Sequence, residues 1–193
     1  MNTTNTLTPQ QILNRDIEQG FRPLLVGKPG CGKTARVITA ARATNRRLVI
    51  MRASLRERID SGGALVPDID KQITHELPLA ILKDLRETTT PTILFLDDLG
   101  QAPIDVQAAL MSLFDDGALA PCVSIAGATS RQADKAGVVG MIEPLRSRFH
   151  CRYAIATPGE EELTTGPVFL GSWGDEVNGW CDWMIDAHPE AWE

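Results

Sequence analysis

No Cys-x-x-Cys pair occurs in this chain. Its four cysteines, Cys31, Cys122, Cys151 and Cys181, are scattered, which argues against a zinc site or a disulfide framework and fits a reduced, cytosolic compartment. His75, His150 and His188 stand alone and form no ligand cluster. No apolar run approaches the length, about 20 residues, that a bilayer-spanning helix needs, so no membrane role is expected. No internal repeat or low-complexity tract is visible. Positive charge is also in deficit: 19 Lys and Arg face 25 Asp and Glu, a net charge of −6. That balance argues against broad non-specific nucleic-acid binding, while leaving room for a local basic patch. Residues 1–8 are polar and uncharged, unlike a secretory signal or a transit peptide, and 1–7 read as a flexible tail.

What is present suits a soluble domain. At 193 residues, 43% hydrophobic and 23% charged, the chain can bury one sizeable core with a short appendage. Its organising stretch is Gly27-Lys28-Pro29-Gly30-Cys31-Gly32-Lys33-Thr34, which matches G-x-x-x-x-G-K-[ST], a phosphate-binding loop. Glycines let backbone N–H groups curl around phosphates, Lys33 reaches the β- and γ-phosphates, and the Thr34 hydroxyl ligates Mg²⁺. The binding set runs from Gly27 through Pro29, Gly30, Cys31, Gly32, Lys33 and Thr34 to Ala35. The flanks are right: Leu24-Leu25-Val26 is a short apolar run, and Val37, Ile38 and Ala41 recur at helical spacing. The amides around Cys31 would favour a thiolate, but packing away from the nucleotide is the preferred reading of its side chain.

Elsewhere, Thr8-Pro9 signals a helix start and Gly20 its stop, with Ile12, Leu13 and Ile17 as an apolar stripe. That stripe serves either ordinary packing or an adenine base. Buried strands are expected at 47–51, 92–98, 123–128 and 150–155, and helices at 77–86 and from Pro103 onward. Between them, 52–76 carries the turn signals Asp60-Ser61-Gly62-Gly63 and Pro67-Asp68 and reads as a functional loop or lid. Strands alternating with helices predict an α/β fold, a parallel sheet with helices on both faces. All four tryptophans, Trp173, Trp180, Trp183 and Trp192, lie in 157–193. A helix over 177–187 is expected there, either packing the tail on the domain or offering a partner-binding surface.

The strand ending in Asp97-Asp98 supplies the second half of a nucleotide site. One carboxylate at a strand tip holds Mg²⁺ through water, and its neighbour orients the water that attacks the γ-phosphate. Asp97 is assigned to the metal and Asp98 to the water.

The order of these motifs resembles the AAA+ ATPases, particularly their MoxR-like and dynein-related branch. The stretch 93–114, I-L-F-L-D-D-L-G-Q-A-P-I-D-V-Q-A-A-L-M-S-L-F, looks like that branch's second acidic motif and the helix after it. Residues 124–134, S-I-A-G-A-T-S-R-Q-A-D, look like its sensor-1 strand and loop, and 143–149, E-P-L-R-S-R-F, like its arginine-finger segment. The resemblance covers about 20–155 and implies a P-loop NTPase core over 8–156. It also implies a ring, a hexamer by the family's habit, with ATP and Mg²⁺ at subunit interfaces and Arg148 reaching a neighbour's γ-phosphate. Ser130 stands where the family's sensor is usually asparagine, and Asp98 where it is usually glutamate. Few residues follow Phe149, which implies a reduced or missing helical lid. The expected function is ATP-driven work on a protein partner, which in this branch often contains a von Willebrand A domain. Segments 52–76 and 135–141 are expected to face the ring's interior. Two alternatives stand beside it: a helicase loader of DnaC or IstB type acting on DNA-bound machinery, suggested by L-D-D-L-G at 96–100, and a nucleotide-gated structural subunit that hardly hydrolyses.

Overall fold

Thr8 opens the first helix, α1 (Pro9–Glu18), through a capping box. Its hydroxyl accepts from the Gln11 amide at 3.2 Å, and the Gln11 side chain accepts from the Thr8 amide at 2.8 Å. The structure is a computed structural model and describes residues 7–56, 64–68, 73–77, 79–131, 139–155 and 168–169. After α1 come β1 (Pro23–Gly27), α2 (Lys33–Ala43), β2 (Arg47–Arg52), β3 (Ala64–Asp68), β4 (Ile73–Leu77), α3 (Ala80–Glu87) and β5 (Thr92–Asp97). The chain continues through α4 (Ile104–Leu110), β6 (Val123–Thr129), α5 (Glu143–Arg146), β7 (Cys151–Ile155) and β8 (Val168–Phe169).

The main sheet has the order β2-β5-β6-β1-β7-β8. Its first five strands are parallel, and β8 closes the edge antiparallel to β7, Cys151 opposite Phe169. Alternate residues of each central strand feed opposite faces. Leu24, Val26, Leu94 and Leu96 join Leu82, Leu85, Val106 and Leu110, so α3 and α4 cover one face. Leu25, Ile93 and Phe95 join Leu13, Ile17 and Val37, so α1 and α2 cover the other. Each such side chain, fully buried, contributes about 1.5–3 kcal/mol. Leu13 and Ile17 are thus used in the core rather than left for a base.

A buried polar cluster ties α1 to β7. Tyr153 donates to Asp16 Oδ2, and Arg15 donates to Asp16 Oδ1 at 3.1 Å. Burial first, and then the Asp16 carboxylate, push both the Cys151 thiol and the Tyr153 phenol well above their ordinary ranges. Cys151 is therefore an inert core thiol. At Gly127 the packing leaves no room for a side chain: a Cβ there would lie 2.6 Å from the Phe149 ring and 2.9 Å from Leu99.

One expectation needs correction. Within 52–76, read as a loop or lid with a turn at Pro67-Asp68, the chain forms an antiparallel ribbon, β3 against β4, with Pro67 opposite Thr74. A two-stranded ribbon consists only of edges, where a residue without an N–H is tolerated, so proline gave a false turn signal. Leu77 belongs to β4, and the helix expected at 77–86 begins at Ala80. The turn at 60–63, segment 135–138 and the tryptophan-rich helix at 177–187 lie outside the described residues. So does the question of a lid. Among the described residues no helix is long and apolar enough to cross a membrane.

Candidate functional site

Three strand tips converge. β1 leads into the glycine-rich loop, β5 ends in Asp97, and β6, which lies between them, runs out into Ser130. With neighbouring strands about 4.8 Å apart, the loop and the acids must meet across the end of β6. They do. Thr34 Oγ1 donates to Asp97 Oδ2 at 2.9 Å. Around this contact lies a cleft of about 600 Å³, lined by the loop, both acids, Ser54, Gln101 and Ser130.

Gly32 heads α2 at φ +87°, a conformation that glycine adopts without a Cβ penalty. No side chain caps α2, so its first-turn amides and the positive end of its dipole remain available to an anion. Lys33 is 8% exposed. Its ammonium donates to the carbonyls of Gly27 at 2.7 Å and Lys28 at 2.9 Å, with Cys31 Sγ at 3.9 Å. Cys31 is buried beneath the loop, whereas Pro29, Gly30 and Ala35 are exposed. Asp97 also accepts from the Asp98 amide at 3.0 Å. Asp98 itself stands at φ +58°, and its Oδ2 accepts from Ser54 Oγ at 3.4 Å.

Ser130, 5% exposed, accepts at Oγ from Gln101 Nε2 at 3.0 Å. Gln101 Oε1 is buried with no partner among the described residues. Beside it, the Gly100 amide donates to Thr129 Oγ1 at 3.1 Å, and the Gly100 carbonyl accepts from Val139 and Gly140 at 2.9 and 3.1 Å. Gln107, wholly buried, continues this line. Its amide donates to the carbonyls of Ala102 and Gly140, and its oxygen accepts from Ile142, the residue before α5.

Arg148 lies beyond α5, outside the cleft lining, with its guanidinium 3.8 Å from Asp115 Oδ1. Arg146 pairs with Glu143 on the surface. Arg22 stacks over Phe114, 5.4 Å from the ring centroid, and reaches the Arg148 carbonyl at 3.5 Å. Burial, and then the nearby Arg148 charge, lower the Arg22 pKa. His150 is held neutral by burial and then by Arg22, and its Nδ1 accepts from the Arg22 amide at 3.2 Å.

Of the residues singled out in the sequence, the fold brings Pro29, Gly30, Gly32, Lys33, Thr34, Asp97, Asp98 and Ser130 into one cleft. Arg148 stands apart from it. Ser54 and Gln101 escaped the sequence reading. Register places Ser54 there, because Arg52 pairs with Asp97, and pairing of that kind has no local signature. Gln101 offered only its position three residues after Asp98. The donor set suits Mg²⁺ held together with phosphates: a threonine hydroxyl and a carboxylate in contact, both hard oxygens, with an ammonium beside them. Among the described residues no three His, Cys, Asp or Glu side chains converge as a metal cluster.

Comparison with known proteins agrees with this arrangement. Residues 23–150 match the model of the AAA domain, dynein-related subfamily. A putative ATPase from Cytophaga hutchinsonii shares the fold with a TM-score of 0.50 and 18% identity, over 91% of this chain and 50% of its own. The RuvB Holliday junction branch migration motor of Thermotoga maritima has a TM-score of 0.50 and 22% identity, over 74% of this chain and 41% of its own. NtrX from Brucella abortus, solved with ADP, has a TM-score of 0.52 and 16% identity, over 76% and 34%. At these identities the likeness is one of fold, and the chain spans half or less of each neighbour's length. No curated protein matches the sequence. With a glycine loop and an acid-tipped strand meeting across β6, and a family match spanning most of the sheet, this chain belongs to the AAA+ ATPases, in their dynein-related subfamily.

Proposed function

We propose that the cleft binds Mg²⁺·ATP and hydrolyses it, and that copies of the chain assemble as a MoxR-like ring, a hexamer, to remodel a protein partner. The observation that supports this most is the 2.9 Å hydrogen bond from Thr34 to Asp97, which joins the phosphate loop to the acidic strand. Thr34 and Asp97 would hold Mg²⁺, which screens charge on the β- and γ-phosphates. Lys33, which rests on its own loop's carbonyls, exchanges them for phosphate oxygens. Asp98 orients the attacking water, and Ser130 donates to the γ-phosphate. Arg148, on the surface away from its own loop, serves a neighbour's site, where charge on the transferred group calls for a further cation. A von Willebrand A-domain protein is the client class that the resemblance suggests.

Titration calorimetry with Mg²⁺·ATP tests the reading. Wild-type chain takes up one nucleotide, and Lys33→Ala weakens uptake by about 100-fold or more. Absence of uptake by wild type, or unchanged uptake by the variant, overturns it. A second reading, a nucleotide-gated subunit with little turnover, draws support from the short Asp98 side chain on a left-handed backbone. It is distinguished by uptake without phosphate release. Salt-sensitive binding of single-stranded DNA would instead favour the helicase-loader alternative.

A further inference from the structure

We infer that Gln101 is a positioning residue for Ser130 and makes it a donor dedicated to the terminal phosphate of a bound nucleoside triphosphate. This rests on the nucleotide reading above and deepens it. A serine hydroxyl has one proton and two lone pairs. Gln101 Nε2 donates to Ser130 Oγ at 3.0 Å, so the amide occupies an acceptor position and the hydroxyl proton is left to be given elsewhere. The surroundings narrow its direction. Thr129 Oγ1 is engaged by the Gly100 amide and donates its own proton to the Ser130 carbonyl at 3.2 Å. Ser130 lines the cleft that also holds Lys33 and Asp98, and there an incoming phosphate oxygen is an acceptor for the free proton.

The other end of the Gln101 amide is the second observation. Its Oε1 is buried without a partner among the described residues. Turned end for end, the same amide would accept from Ser130 and draw the proton away from the cleft. The orientation of Gln101 therefore sets whether Ser130 addresses the γ-phosphate, and with it the preference for triphosphate over diphosphate.

The test compares Mg²⁺·ADP with a non-hydrolysable ATP analogue on the full chain by calorimetry, alongside thermal midpoints. Wild type prefers the analogue. Gln101→Met lowers that preference about tenfold with ADP affinity kept within about twofold, the size expected for one hydrogen bond to a charged acceptor. Ser130→Ala does the same, and the double variant adds nothing further. Gln101→Asn, which draws the amide back from Ser130 without adding charge, gives a comparable loss and carries the test if methionine disturbs packing. The inference is overturned if the wild-type preference is absent, if Gln101→Met leaves it unchanged, if both nucleotides weaken equally, or if the two substitutions add. Failure of wild type to take up either nucleotide removes the underlying reading at the first step. A preference unaltered by Gln101→Met removes this inference alone.

Discussion

Asp98 occupies a left-handed backbone position, φ +58°, where aspartate and asparagine are enriched among non-glycine residues. The short acid therefore suits the backbone it stands on, and a longer one would extend further into the cleft at some conformational expense. Two outcomes follow for single side chains here. Asp98→Asn keeps the backbone and the fold, so Mg²⁺·ATP affinity stays within about threefold while single-turnover phosphate release falls about 100-fold or more. His150 supplies the pH dependence. Burial, and then Arg22, depress its pKa below the ordinary value of about 6.5. A base held neutral in the fold but free to charge when unfolded gives an unfolded state that binds more protons, so stability rises with pH. His150 should contribute fully above about 6.5 and lose that contribution as pH falls below it. Urea midpoints between pH 5 and 8 check this: the acid-side decline should flatten in His150→Gln, which retains an acceptor for the Arg22 amide.

Among the elements, β6 does the most to organise the site. It separates β1 from β5, carries Thr129 and leads into Ser130, and at Gly127 lets the Phe149 ring approach the strand closely. Since a Cβ at Gly127 would lie 2.6 Å from the Phe149 ring, Gly127→Ala should destabilise the fold by about 1–3 kcal/mol through overpacking. Phe149→Leu, costly alone, should cost less in the Gly127→Ala background, because it removes the atoms that clash. Chemical denaturation of the four proteins reads this as a coupling energy; simple additivity would mean that the contact is not the source of strain. Phe149 follows Arg148 directly, so the packing that seats this ring also anchors the turn that carries the arginine.

For the whole molecule, the cleft and Arg148 are separate places on one chain. Arg148 sits near Asp115 and Arg22 and does not line the phosphate cleft. If it serves a neighbour, turnover per subunit should rise with protein concentration in wild type. Arg148→Ala should keep its nucleotide affinity yet lose about 10³-fold in turnover. Mixing Arg148→Ala with Lys33→Ala should restore activity, since one chain supplies the arginine and the other an intact loop. Mixed samples no more active than their parts would place the arginine's role elsewhere.

The sequence by itself marked the glycine-rich loop and the Asp97-Asp98 strand tip as the two halves of the site. It also marked most of the regular elements, because each depends on residues adjacent in the chain: glycine spacing, the Thr8-Pro9 helix start, unbroken apolar runs at 24–26 and 93–96. Tertiary structure alone decided what meets what. That β6 would lie between β1 and β5, that Ser54 would reach Asp98 through the Arg52–Asp97 register, that Gln101 would engage Ser130, and that Pro67 would sit in a ribbon rather than a turn all depend on pairings between distant segments. Such pairings are selected by the burial and backbone hydrogen bonding of the assembled sheet, and a short stretch of sequence carries no local trace of them.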